Sequence, residues 1–357
     1  MLSSIIVEQE MPFDFKKTIA NLADGHILSR EEARNAFNYM MNGDATGPQI
    51  GAFLMALRVR GEHLDEITGA VEAMRSKAST IKALDGAIDT CGTGGDTAGT
   101  YNISTAAAIV LAACGVQVAK HGNRAVSSKS GSADVLERLG INIDADMFVV
   151  KKCLDELGIS FLMATRHHSA ARHVGPARAS LGTRTIFNLI GPLSNPAETK
   201  YQVIGVFDQK WNRPMAEVLG RLGTKCVWVV TGSDGLDELT ITGETHVAEY
   251  KNGKVKEFTI TPEEAGLERA SLKDIEGGNA EFNASAIIDI MSGEKNAYRD
   301  IVLLNTAAAL VVSGKASNLK AGVAMAASVI DSGKAKAKLE AWIEMSNEEP
   351  PELDEDE

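Results

Sequence analysis

The sequence predicts an α/β fold with two parts: a small all-helical domain and a larger α/β domain with a mostly parallel central sheet. Three observations carry this. Residues 1–82 show helical apolar spacing without strand-like alternation. From residue 83, short apolar runs alternate with longer helical ones, the pattern of βαβ units. Between about 166 and 192 a basic segment breaks the alternation and reads as a helical excursion back to the N-terminal helices. The expected division is therefore 1–82 with the joining segment at about 166–192, an α/β domain over 83–165 and 193–345, and an acidic, disordered tail over 346–357.

The elements follow in order. Ser29-Arg-Glu-Glu32 is a capping box ahead of Ala33, Phe37 and Met40 at helical spacing. Pro48 opens a second helix with Ile50, Phe53, Leu54 and Leu57 on one face. Leu64, Ile67, Val71 and Met74 mark a third. Ala87–Cys91, Val116–Ala119, Ile159–Met163, Tyr201–Val206 and Cys226–Thr231 read as strands. Ser104–Cys114, a stretch starting at Asp134–Leu139, and Arg213–Leu222 read as helices. Asn252-Gly253 between two alternating runs predicts an antiparallel hairpin. Asn188 to Pro196 reads as an irregular loop, and apolar helices from Ala284 to about Met345 are expected to cover the sheet.

Composition is that of a globular chain, 44% hydrophobic and 24% charged over 357 residues. The net charge of −12 argues against a general nucleic-acid binder. Seven acids lie between Glu348 and Glu357, so the body alone carries −5. Four cysteines without C-x-x-C spacing fit reduced thiols in a cytoplasmic protein. No signal peptide or membrane span is expected: the longest uncharged stretch, 102–119, contains polar residues and a glycine.

Chemistry concentrates in two loops. Asp89 to Thr105 holds a glycine-rich turn, Gly92-Thr-Gly-Gly-Asp96, between a short apolar run and a helix. Lys120 to Ser132 carries Lys120, Arg124 and Lys129. Backbone N–H groups in such a turn, with a helix N-terminus behind them, favour phosphate. The plain alternative is a tight strand-to-helix turn. Neither a dinucleotide fingerprint nor a P-loop matches, because Thr97 stands at the third glycine position and no Lys follows Gly99. Asp237-Glu238 follows a strand, where adjacent carboxylates suit Mg²⁺ or form a solvated acidic turn. His167, His168 and His173 lie among arginines, which disfavours a metal. No covalent nucleophile or obligatory general base is evident, which suits displacement of pyrophosphate from an activated sugar.

In this order and spacing, the chain resembles the anthranilate phosphoribosyltransferase family. The matching elements are Gly92-Thr-Gly-Gly-Asp96, Asn102-Ile-Ser-Thr105, Lys120 to Ser128, Arg184 to Pro192 and Asp237-Glu238. The resemblance implies a helical domain hinged to an α/β domain, and a homodimer formed through the helical part. It implies transfer of phosphoribosyl from 5-phosphoribosyl 1-pyrophosphate to anthranilate with Mg²⁺, in tryptophan biosynthesis. Matched by motif, Gly92, Gly95, Asp96, Thr100, Asn102, Ile103, Ser104 and Thr105 would bind phosphoribosyl pyrophosphate. So would Lys120, His121, Gly122, Asn123, Arg124, Ala125, Val126, Ser127, Ser128 and Ser132. Gly92, Asn123 and Arg178 match the anthranilate positions, and Ser104, Asp237 and Glu238 the metal positions. Arg178 is preferred to Arg184 because it lies 13 residues before Gly191. Two alternatives remain: a pyrimidine nucleoside phosphorylase, and a non-catalytic relative that binds phosphoribosyl compounds.

Overall fold

The computed structural model describes residues 13–94, 99–125 and 129–351. Four helices open it: α1 (Phe15–Ala23), α2 (Arg30–Asn42), α3 (Gly47–Arg60) and α4 (Leu64–Ser76). The capping box on α2 is present: Glu32 N–H donates to Ser29 Oγ at 3.2 Å, and Ser29 N–H donates to Glu32 Oε2 at 2.9 Å. In α4, Glu66 is fully buried, accepting from Leu28 and His63 N–H and pairing with Arg60, so its charge is compensated.

The chain then alternates. In order come β1 (Ile88–Gly92), α5 (Ile103–Ala113), β2 (Val118–Gly122), α6 (Ser132–Arg138), α7 (Met147–Lys152) and β3 (Ile159–Met163). The excursion holds α8 (Ala164–His167), α9 (Gly175–Leu181) and α10 (Ile186–Leu193). The sheet resumes with β4 (Tyr201–Gly205), α11 (Asn212–Arg221), β5 (Cys226–Gly232), β6 (Thr245–Lys251) and β7 (Lys254–Ile260). Helices α12 (Ala280–Met291), α13 (Ala297–Val312), α14 (Leu319–Asp331) and α15 (Lys334–Ser346) follow. Strand order is β3-β2-β1-β4-β5-β6-β7, parallel up to β5 and antiparallel beyond. The hairpin turns through Asn252 and Gly253 at φ 53° and 77°, as a type I′ turn requires.

Both faces of the parallel part of the sheet, β1 to β5, are buried. Ile88, Val118, Val203 and Val230 pack on α5 and α13 in one core. Cys91, Ile204, Val227 and Val229 face the other, a core shared with α11, α10 and the N-terminal helices. One apolar cluster thus runs from the sheet into the helical part, with Arg221 of α11 paired to Asp65 of α4. Backbone bonds stitch the connections: Ser79 N–H to His167 O at 2.8 Å and Ile81 N–H to Pro196 O at 3.2 Å.

Three expectations change. The expected loop from Asn188 is helical through Leu193, with Pro192 inside α10. Ile186, Phe187, Leu189, Ile190 and Leu193 are all buried there, and packing outweighs the cost of the proline. Strand β2 runs on to Gly122, past the expected Ala119, because Lys120 and His121 are buried although polar. Ser346 closes α15, buried and accepting from Asn142 N–H at 3.1 Å, and Glu348 pairs with Lys152. The chain is therefore tied down beyond the expected tail start, while residues 352–357 of that tail lie outside the described residues.

Candidate functional site

A cleft of about 580 Å³ opens at the carboxyl ends of β1 and β2, beneath the excursion. Gly92, Thr100, Asn102, Ile103, Ser104, Thr105, Lys120, His121, Gly122, Asn123, Arg124, Ala125, Ser132, Arg178, Asp237 and Glu238 all line it. Gly95, Asp96, Val126, Ser127 and Ser128 lie outside the described residues.

Close approach explains the glycines that matter. A Cβ on Gly92 would stand 2.3 Å from Asp237 Oδ2, and one on Gly205 only 1.4 Å from the Asp237 carbonyl oxygen. The turn after β5 therefore presses against β1 and β4. Asp237 Oδ2 accepts from Gly94 N–H at 2.6 Å, and Glu238 Oε1 from Ser104 N–H at 3.2 Å. The carboxylates hold the glycine turn and the start of α5, placing hard oxygen donors at the cleft wall. Asn305 of α13 braces the next residue, bonding both the N–H (3.0 Å) and the carbonyl (2.9 Å) of Leu239.

Lys120 is fully buried on the cleft floor. Its Nζ donates to Thr90 O at 2.6 Å and lies 3.4 Å from Ser104 Oγ. Among the described residues it has no carboxylate within salt-bridge distance. The buried Thr105 hydroxyl, also lining the cleft, has no partner among the described residues. Asn102 bridges three segments: its Oδ1 accepts from Ser130 Oγ (3.2 Å) and Asn283 Nδ2 (2.9 Å). Arg124 lines the cleft with its guanidinium paired to Asp134 at 3.2 Å and Glu137 at 3.0 Å. Asp134 closes the loop by accepting from Ala125 and Gly131 N–H, both at 2.9 Å. Burial opposes its charge, but those bonds and Arg124 hold the Asp134 carboxyl below its usual range.

The opposite wall comes from the excursion. Arg178 of α9 lies with its guanidinium over the Phe187 ring, 4.9 Å from the centroid. Burial lowers its pKa from the usual guanidinium value, and it makes no ion pair among the described residues. Arg184 instead sits over Phe207 at 4.2 Å, outside the cleft lining. His121 and His168 meet edge to face at 5.3 Å, both buried. Burial, then the neighbouring imidazoles and Lys120, hold the His121 pKa well below its ordinary value. Burial pushes His168 down to about 4. The three histidines part company: His167 Nδ1 bonds Ser79 O at 2.5 Å, His168 faces the cleft, and His173 packs on Gly43. Phe187, Asn188, Tyr101 and Lys129 also line the cleft, although none was named as a binding residue. Lys129 carried a sequence signal as a loop cation, and Phe187 and Asn188 lie within the matching element from Arg184 to Pro192.

Comparison with known proteins places this geometry. The model described as the glycosyl transferase family α/β domain matches residues 84–336, and that of its helical bundle domain matches 16–78. An anthranilate phosphoribosyltransferase of Rhodospirillum rubrum is 59% identical over 330 residues, 92% of this chain and 95% of that protein. The chain belongs to the anthranilate phosphoribosyltransferase family. Another member, from Azospirillum brasilense, is 58% identical over 334 residues, 94% of each chain. The crystal structure of the family member from Thermus thermophilus matches with a TM-score of 0.87 at 43% identity, covering 92% of this chain and 99% of that one. The Saccharomyces cerevisiae enzyme, solved in complex with PRPP and Mg, matches with a TM-score of 0.85 at 28% identity over 93% and 97% of the two chains.

Proposed function

We propose that this cleft performs the reaction of its family, with the following roles for its residues. The enzyme is a pentosyltransferase of tryptophan biosynthesis. It transfers the phosphoribosyl group of 5-phosphoribosyl 1-pyrophosphate to the amine of anthranilate, giving N-(5-phosphoribosyl)anthranilate and pyrophosphate. One observation carries the assignment of roles. Lys120, the α5 N-terminus and Asp237-Glu238 line the same cleft as Arg178, which lies on the excursion.

Gly92, Thr100, Asn102, Ile103, Ser104, Thr105, Lys120 to Ala125 and Ser132 bind phosphoribosyl pyrophosphate, with Gly95, Asp96 and 126–128 completing the loops. Lys120 and the N-terminal end of α5 face the departing pyrophosphate. Gly92, Asn123 and Arg178 bind anthranilate, with the guanidinium taking its carboxylate as a fork. Ser104, Asp237 and Glu238 hold Mg²⁺. This donor set fits, since Mg²⁺ takes one or two carboxylates and fills its remaining places with water and substrate phosphates. When bound, Mg²⁺ supplies positive charge against the charge developing on pyrophosphate.

In the reaction the bond from the anomeric carbon to pyrophosphate breaks, and its electron pair leaves with the oxygen. The amine lone pair forms the new bond to carbon, and the nitrogen then loses a proton. An aromatic amine is neutral at pH 7, so no base is needed before attack. His121, kept neutral by burial, adds no charge beside the aromatic ring.

Membership of the family supports a homodimer formed through the helical part. Four free cysteines support a cytoplasmic location, and among the described residues no helix is long and apolar enough to cross a membrane. The test is a fluorescence assay of anthranilate. Consumption should require both phosphoribosyl pyrophosphate and Mg²⁺. Consumption without the sugar donor, or phosphorolysis of thymidine in its place, would overturn the assignment.

A further inference from the structure

The seam between β1 and β2 is unzipped where it meets the cleft. The two strands pair at Ile88–Val118 only, whereas β1 and β4 keep register from Ile88–Tyr201 to Gly92–Gly205. In a continued parallel ladder the His121 N–H would donate to the Thr90 carbonyl. It donates to Asp89 Oδ1 instead, at 3.1 Å. The Thr90 carbonyl accepts from Lys120 Nζ at 2.6 Å. Asn195, in the segment returning from the excursion, donates one amide group to both Asp89 Oδ2 (2.7 Å) and Ala119 O (2.8 Å). Its Oδ1 accepts from Ala197 N–H at 2.8 Å, which fixes the amide's orientation.

Asp89 is fully buried and Asn195 nearly so, and neither lines the cleft. A buried carboxylate is costly unless it is bonded, and both oxygens of Asp89 are bonded. Ordinary backbone pairing would satisfy the same groups without a carboxylate, so the substitution needs a cause other than satisfying them. Its consequence is that the Thr90 carbonyl is left available to hold Lys120.

We propose that Asp89 and Asn195 are positioning residues: they wedge β1 and β2 apart so that Thr90 O fixes Lys120 Nζ on the cleft floor for the pyrophosphate of the sugar donor. The role of Lys120 rests on the function proposed above. Removing the wedge brings the His121 N–H onto Thr90 O, where it competes with Lys120 Nζ for that carbonyl and loosens the hold on the lysine. Asn195 also ties the wedge to the segment that links the sheet with the excursion.

The test measures Asp89→Ala, Asp89→Asn and Asn195→Ala in the full-length enzyme. Calorimetric titration with phosphoribosyl pyrophosphate and Mg²⁺ is combined with both Michaelis constants. Asp89→Ala should weaken binding of the sugar donor about 10- to 150-fold, the effect of losing one charge-assisted bond. The anthranilate constant should change at least tenfold less. Asp89→Asn keeps an acceptor for the His121 N–H but turns an N–H donor toward the Asn195 amide, so it should recover part of the affinity. Equal losses for both substrates, unchanged donor affinity, or an Asp89→Asn enzyme as impaired as Asp89→Ala would overturn the wedge. Should Asp89→Ala not fold, the same substrate split in Asn195→Ala decides. A wild-type enzyme that fails to bind the sugar donor would instead refute the proposed function.

Discussion

Asp237 and Gly94, 143 positions apart, meet across the cleft wall, where the glycine N–H donates to Oδ2 at 2.6 Å. The carboxylate proposed for Mg²⁺ thus also holds the phosphate turn. Asp237→Asn with Glu238→Gln keeps both shapes and removes two charges. Turnover at millimolar Mg²⁺ should fall by more than the about 10- to 100-fold typical of outer-shell changes, with partial recovery at higher Mg²⁺. Wild-type turnover in a Mg²⁺ titration of the double variant would remove these carboxylates from the metal.

Two glycines against the same aspartate should give different phenotypes. In Gly92→Ala the new methyl meets a carboxylate oxygen at 2.3 Å, and a side chain can yield. That protein should fold and melt near wild type while losing activity. In Gly205→Ala the methyl would stand 1.4 Å from the backbone oxygen of Asp237, which cannot yield without moving the turn. That protein should be strongly destabilised. Thermal melts and turnover measured side by side check the pair, and equal melting temperatures would contradict it.

Arg178 carries the substrate split on the other wall. Arg178→Ala removes a bidentate partner worth about 1.5–3 kcal/mol, or about 10- to 150-fold. The rise should appear in the anthranilate Michaelis constant and spare that of the sugar donor. Arg178→Lys retains a cation near Phe187 but not the fork, so rescue should be partial. Steady-state kinetics with each substrate varied in turn settle which constant moves.

Buried histidines should make the fold acid-sensitive. Burial lowers the folded pKa of His168 to about 4 and drives His121 and His167 down too. Below the unfolded value of about 6.5 the unfolded chain takes up protons that the folded chain refuses. Stability is therefore complete above that pH and is lost as pH falls toward the folded value. His168 alone should cost about 2 kcal/mol at pH 5. Urea unfolding at pH 7.5 and 5 should show this loss, and His168→Leu should reduce it. An unchanged pH dependence in that variant would exclude His168 as a source.

What the sequence determined by itself is the part governed by near neighbours. Ser29 and Glu32 are three residues apart, so their capping box could be read directly. Asn252-Gly253 needs only its own backbone preference to turn the hairpin. Ile159–Met163 is apolar except for Ser160 and is a strand with those bounds. The glycine turn, the Lys120 loop and Asp237-Glu238 were legible because their chemistry is local, and the cleft does bring their described residues together. Tertiary structure alone decided the rest. Asp89 and Asn195 are 106 positions apart, and only strand order and the path of the excursion make them partners. Arg124 carries a charge suited to phosphate, yet the placement of α6 gives it to Asp134 and Glu137. Pro192 argued locally against a helix, and the buried face of α10 overrode it. Caps and turns are settled within a few residues of chain. Which buried polar group meets which is settled by packing between distant segments, and a single sequence does not display it.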